Sequence, residues 1–342
     1  MKKKRYFVFF SLMIAVSIFS CIFGMGILEG YLRFTQRYRL NTFYWKELPG
    51  KSNSRLYRNA SDLLVGWEHD PGGATKINSL GFPDVPRTIK KDDQTFRIVV
   101  LGDSVTETGE YVGFLEHALN TSGLGKKFEV WNCSCGGYQA VNYYGLLREK
   151  VLGFNPDMVI LGFCLNDFNP APIIFKDSSS GRLKGLGTQL QGIPTYYGFF
   201  VNSFLFLNSY AYRFLVITTQ KILRGRKAMA ENKPGEVALW ALTHIRDLTQ
   251  RKNIPLMGVI IPYLKNRYSS AEEEEYATMR HLLEETGIRY LDLHGDFTDR
   301  DEPSLRRSPQ DGIHHSEAGH RVIARILHTY LLQDLSWWFT RN

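Results

Sequence analysis

From about residue 95 the chain alternates between short β-branched apolar runs and stretches with apolar residues at helical spacing. No other feature narrows the fold as much. Phe96–Leu101 (FRIVVL), Phe128–Asn132, Met158–Phe163, Pro255–Ile261 and Ile288–Leu293 read as strands. Tyr111–Leu119, Tyr138–Leu152, Glu236–Arg251, Glu272–Thr286 and Glu317–Leu335 read as helices, with Gly287 placed to stop the fourth. Strands separated by helices are joined by crossovers, lie parallel and need cover on both faces. The expected fold is α/β: a three-layer α/β/α domain, flavodoxin-like, with a parallel sheet of about five strands. In such sheets ligands sit beyond the carboxyl ends of the strands.

Ahead of this domain stands a different kind of sequence. Lys2, Lys3, Lys4 and Arg5 precede an uncharged run from Tyr6 to Leu28. At about 1.5 Å per residue the run reaches roughly 34 Å, enough for a bilayer core of about 30 Å. It is longer than the apolar core of a cleavable signal, and no small-x-small site closes it. Ile18-Phe19-Ser20-Cys21 resembles a lipoprotein cleavage box, but apolar residues continue past Cys21. A single-pass transmembrane anchor is the expectation. Arg33, Arg37, Arg39 and Lys46 on the far side nearly balance the basic tail, so the positive-inside count is close to a tie. A short tail before an anchor usually stays cytoplasmic, which puts the large domain outside. Glu29 falls at the membrane edge.

Charge follows the same division. The net charge is +8, and the first 40 residues hold seven basic side chains against Glu29 alone, leaving only +2 for the rest. The basic balance belongs to the membrane-proximal end, so it gives no reason to expect nucleic acid as a partner. The cysteines are Cys21, Cys133, Cys135 and Cys164, too few for a disulfide scaffold. Buried free thiols are expected, with a Cys133–Cys164 bridge as the alternative. No Cys/His spacing suits zinc, and neither metal nor cofactor is expected.

The organisation that follows is a tail and anchor over 1–28, an irregular segment over 29–94, the main domain over 95–336 and a tail over 337–342. An insertion over 168–234 carries the apolar stretches Tyr196–Phe206 and Tyr210–Ile222. It is read as packing over the sheet, with a lid or membrane-facing element as alternatives. The acids Glu272–Glu275 read as a solvated helix start.

Four short segments carry chemistry. Gly102-Asp103-Ser104 follows the first strand and exposes a serine at the ligand-binding edge. Gly136-Gly137-Tyr138 follows the second, where glycine lets the backbone approach a ligand. Asn166-Asp167 follows the third and offers an amide donor. Asp311-Gly312-Ile313-His314 precedes the last helix, and a carboxylate three residues before a histidine can fix the imidazole tautomer through Nδ1. Each alone is an ordinary turn or cap. Together, at one sheet edge, they supply what acyl transfer needs.

The segments RIVVLGDSVT (97–106), NCSCGGY (132–138), LGFCLND (161–167) and DGIHHSEAGH (311–320) resemble those of the SGNH/GDSL hydrolase family. The upstream INSLGF (77–82) resembles a segment of membrane-anchored relatives. The resemblance implies a serine esterase with Ser104 as nucleophile, His314 as base and Asp311 orienting it. It implies an oxyanion hole made of the Ser104 N–H, the Gly137 N–H and the Asn166 side chain. The implied substrate is an acyl ester of a glycan or a lipid. An O-acyltransferase with the same triad, a lipid-directed esterase and a non-catalytic binding module are the alternatives, the lipid reading prompted by Trp337-Trp338-Phe339. Two positions depart from the family pattern: Cys164 where glycine is usual, and His315 where proline or leucine often follows the histidine. His315 is read as packing or surface and His320 as structural. Oligomeric state is left open.

Overall fold

The computed structural model describes residues 2–35, 57–60, 62, 64–71, 76–165, 167, 174–176, 183–185, 188–190, 193–195, 205, 208–224, 235–264, 268–298 and 303–341. The chain divides into two compact units, residues 1–41 with 172–232, and residues 42–171 with 233–342.

The first unit holds α1 (Lys2–Phe34). Its stretch Phe9–Phe34 has a mean hydropathy of 2.2 and, among the described residues, is the helix long and apolar enough to cross a membrane. Among the described residues most apolar side chains of this helix are exposed, Phe9, Phe10, Phe19 and Ile22 among them, while Leu32 near its end is buried. The same unit contains most of the insertion. Glu29 accepts hydrogen bonds from Ser209 Oγ at 2.9 Å, Tyr210 N at 3.2 Å and Ala211 N at 2.7 Å. The two N–H groups are orphan donors at the start of the helix Tyr210–Arg224. Arg33 completes the joint, donating to Glu29 at 2.6 Å and to the Asn208 carbonyl at 2.7 Å. The one acid of the N-terminal segment is therefore used to cap another helix, and this part of the insertion packs on the anchor.

In the second unit β1 (Tyr57–Asn59) and β2 (Trp67–His69) form an antiparallel ribbon inside the segment read as irregular. The main sheet follows: β3 (Thr95–Gly102), α2 (Ser104–Glu107), α3 (Tyr111–Asn120), β4 (Lys127–Asn132), α4 (Ala140–Glu149) and β5 (Met158–Phe163). Two short antiparallel ribbons, Ile174–Lys176 (β6) with Leu183–Gly185 (β7) and Thr188–Leu190 (β8) with Ile193–Thr195 (β9), and the helix Tyr210–Arg224, here α5, belong to the first unit. Then come α6 (Glu236–Arg251), β10 (Leu256–Ile260), α7 (Ser270–Thr286), β11 (Tyr290–Asp292), α8 (His294–Thr298) and α9 (Glu317–Arg341), the ribbon strands being β6 to β9. The strand order is β11-β10-β5-β3-β4, parallel throughout. Counting only the sheet strands along the chain this is 2-1-3-4-5, the flavodoxin-like order, with its switch point between β3 and β5.

All eight residues of β3 are buried, as a strand covered on both faces requires. Alternate residues serve opposite layers. Ile98 and Val100 join a core with Leu115 and Leu119 of α3 and Ile323 and Leu327 of α9. Val99 and Leu101, also buried, face the other way. Gly287 ends α7 in the left-handed conformation, φ 67°. Glu272 closes a capping box with Ser269, so one of the four acids expected on a solvated face has a defined local partner. The last helix runs through Trp337-Trp338-Phe339 to Arg341, six residues beyond the expected end. Cys133, Cys135 and Cys164 are buried free thiols, and no bridge joins them.

Candidate active site

The serine is placed by the end of β3. Asp103 leaves the strand in an extended conformation, and its carboxylate accepts from the Val105 N–H at 2.9 Å, opening α2 with Ser104 as its first residue. Two glycines make room for this turn. Gly102 and Gly162 are paired on β3 and β5. A Cβ on Gly102 would lie 2.2 Å from Thr106 Oγ1, and one on Gly162 would lie 2.6 Å from the same atom. Thr106 uses the space to bond Tyr111 Oη at 3.0 Å.

The histidine is placed by the loop before α9. Arg307 N donates to the His314 carbonyl at 3.0 Å, Ser316 N to the Leu305 carbonyl at 2.8 Å and Leu264 N to the Gly312 carbonyl at 2.7 Å. Asp311 Oδ1 accepts from the backbone of Ile313 at 3.1 Å and of His314 at 2.9 Å. Partial burial pushes this carboxyl up, but those bonds and the His314 ring more than offset it, and its pKa lies below the usual carboxylate value. Asp311 is thus an ionised acceptor. His314 Nδ1 donates to it, 3.0 Å from Oδ2 and 3.2 Å from Oδ1. The proton on Nδ1 leaves Nε2 as an acceptor, and the Ser104 hydroxyl donates to it at 3.0 Å.

Behind His314 lie two further imidazoles. His315 and His320 are buried, 5.8 Å apart between ring centres, against Phe297 and Tyr111. Burial, and then neighbouring imidazoles, lower their pKa values to about 3 and about 4. At neutral pH both are uncharged packing groups. Of the two adjacent histidines only His314 reaches the serine.

The glycine segment is stitched to the turn that carries Ser104. Cys133 N donates to the Val100 carbonyl at 2.8 Å, Cys135 N to the Gly102 carbonyl at 3.1 Å and Asn132 Nδ2 to the Thr106 carbonyl at 2.8 Å. Gly137 has φ 76°, where glycine is the residue of least strain. Asn166 lies outside the described residues. Its neighbours are fixed: Asp167 Oδ2 accepts from Cys164 N and Tyr143 Oη, each at 2.8 Å. Burial, and then the charge of Asp103, raise the Asp167 carboxyl well above the usual range. Cys164, where glycine is usual, is fully buried and points its bulk into the core.

Comparison with known proteins gives this arrangement its context. The model of the GDSL-like lipase/acylhydrolase family matches residues 100–322. The chain belongs to this family. The matched span contains Ser104, Gly137, Asn166, Asp311 and His314, and a GDSL-like acylhydrolase is an enzyme that hydrolyses ester bonds. No curated protein matches the chain. Among solved structures it is similar to the acetyl xylan esterase AlAXEase, with 17% identity over 69% of this chain and 99% of that one, at a TM-score of 0.43. It is similar also to a catalytic mutant of Axe2, an acetylxylan esterase from Geobacillus stearothermophilus, with 15% identity over 67% and 91%, at 0.43. A lipase/acylhydrolase from Enterococcus faecalis shares 13% over 69% and 95%, at 0.42.

One contact of this GDSL-like site has no signal in the sequence. Trp67, in a segment read as irregular, donates from its indole to the Gly136 carbonyl at 3.1 Å. Only a pairing across 69 positions reveals it.

Proposed function

We propose that this acylhydrolase cleaves O-acyl esters of cell-surface glycans, with Ser104 as nucleophile, His314 as general base and Asp311 holding the imidazole. The observation that carries this reading is the unbroken hydrogen-bond chain from the Asp311 carboxylate through His314 to the Ser104 hydroxyl. Ser104 attacks the ester carbonyl while His314 Nε2 takes its proton. The oxyanion receives the N–H groups of Ser104 and Gly137 and the amide of Asn166, each donor worth about 3 kcal/mol. Among the described residues neither of those two N–H groups has an acceptor within the protein, so both are free to serve. His314 then protonates the departing alcohol, and water resolves the acyl-enzyme by the same steps in reverse.

The catalytic unit works outside the cytoplasm, tethered to the membrane by α1. The length and hydropathy of α1 support the tether, and the short basic tail ahead of it supports the orientation. The glycan assignment rests on the family resemblance, since some SGNH/GDSL relatives transfer or remove acyl groups on cell-surface glycans; the resemblance of INSLGF (77–82) to a segment of membrane-anchored relatives supports only the tether.

The test is a substrate panel on the full chain in detergent: chromogenic esters of increasing acyl length, O-acetylated oligosaccharides and phospholipids. Release of acetate from the oligosaccharides, lost in Ser104→Ala, is the expected result. Preference for phospholipid overturns the glycan assignment, and turnover surviving in Ser104→Ala removes the serine from the mechanism. Acyl groups appearing on added glycan instead of in water identify a transferase.

A further inference from the structure

The pair Gly136-Gly137 occupies the centre of a β-turn. Tyr138 N donates to the Cys135 carbonyl at 3.1 Å, closing the four-residue turn. Gly137 has φ 76°, and Gly136 is not among the residues with positive φ. Positive φ at the third position alone defines a type II turn. Types I and II differ by a flip of their central peptide, here the peptide joining Gly136 to Gly137. Glycine at both central positions leaves that flip nearly unopposed by side chains. The flip matters, because this peptide carries the Gly136 carbonyl on one side and the Gly137 N–H on the other.

We infer that Trp67 is a positioning residue for catalysis: its indole N–H, bonded to the Gly136 carbonyl, locks the central peptide so that the Gly137 N–H faces the oxyanion. The inference rests on the reading of that N–H as an oxyanion donor. The indole donates to the Gly136 carbonyl at 3.1 Å. A bond to the carbonyl of a peptide also polarises its N–H, strengthening the donor at the other end.

Trp67 is itself held as a locking element needs to be. Its side chain is buried and packs edge-on against the Tyr138 ring, 5.4 Å between centres at 69°. Tyr138 Oη donates back to the Trp67 carbonyl at 2.5 Å. The residues before it press on α4. Asn142 Nδ2 donates to the Leu64 and Val65 carbonyls at 3.2 and 3.1 Å. A Cβ on Gly145 would lie 2.6 Å from the backbone of both, so only glycine allows this approach. Asp62 caps the turn by accepting from the Leu64 and Val65 N–H groups and is held by Arg148 at 2.6 Å. The segment before the sheet is thereby part of the catalytic apparatus, aimed at one peptide of the glycine turn.

The test compares wild type, Trp67→Phe and a chain with 3-benzothienylalanine in place of Trp67, all full length in detergent. The benzothienyl ring keeps the indole shape and replaces its N–H by sulfur, so packing is retained while the donor is lost. On p-nitrophenyl acetate both variants should lose about tenfold in kcat with KM unchanged, because the oxyanion exists only in the transition state. Labelling of Ser104 by a fluorophosphonate should slow in proportion, and the thermal midpoint of the benzothienyl chain should match wild type. A benzothienyl chain that turns over at the wild-type rate overturns the inference, whatever the stability of Trp67→Phe. A wild type unlabelled at Ser104, together with an active Ser104→Ala, overturns the underlying triad reading. A labelled wild type with an equally reactive benzothienyl chain leaves that reading standing and removes only Trp67.

Discussion

His314 Nε2 stands 3.0 Å from Ser104 Oγ across 210 positions of sequence. The serine comes from the tip of the first sheet strand, at the switch point where the strand order reverses. The histidine comes from a loop pinned by backbone bonds to residues 264, 305 and 307. A crevice at that point is where a doubly wound sheet holds its ligands.

Asp311 fixes which imidazole nitrogen carries the proton. Asp311→Asn leaves the ring in place but favours the opposite tautomer, so kcat should fall by about 10³–10⁴ with little change in KM. Steady-state kinetics on a chromogenic ester at neutral pH, with circular dichroism to check the fold, decides it.

Gly162 sets the depth at which the turn carrying Ser104 sits. Gly162→Ala drives a methyl to 2.6 Å from Thr106 Oγ1. Overpacking of this kind should cost about 1–3 kcal/mol and lower activity as α2 shifts. Combining it with Thr106→Ala should cost less than the sum of the single changes in denaturant unfolding, because the clashing oxygen is gone.

His315 and His320 make the fold acid-sensitive. Their folded pKa values, about 3 and about 4, lie below the unfolded value of 6.5, so on lowering the pH the unfolded chain takes up protons first. Stability is therefore full above about pH 6.5 and falls as the pH drops towards 4 and then 3. Asp311, whose carboxyl is also depressed, adds to the loss only below its ordinary value of 3.8. Urea unfolding between pH 7.5 and 4.5 should show the slope, and His315→Leu should flatten it. The raised Asp167 carboxyl contributes a slope of the opposite sign, so the deciding comparison is between the two chains: a slope unchanged in His315→Leu contradicts the assignment.

Glu29 fastens α5 to the anchor. Glu29→Ala strips the acceptor from the Tyr210 and Ala211 N–H groups. The helix start should weaken by about 1–2 kcal/mol, as for the loss of an N-cap. Hydrogen exchange at residues 210–214 of the detergent-solubilised chain should accelerate, with exchange in β3 and β5 unaltered.

What the sequence determined by itself is everything written in short range. The central strands are legible because a strand buried on both faces must be an unbroken apolar run, as Ile98–Leu101 and Met158–Phe163 are. The Asp311–His314 pair is legible because three residues of loop suffice to bring carboxylate and ring together. The glycine beside the serine is legible as a turn. Tertiary structure alone decided the rest: that Glu29 caps a helix about 180 residues away, that His315 is buried beside His320, and that Trp67 holds the Gly136 carbonyl. Those contacts join side chains whose own neighbourhoods follow no period. A single indole N–H or carboxylate leaves no mark on a hydrophobic pattern, and its partner is set only when the sheet and its crossovers have closed.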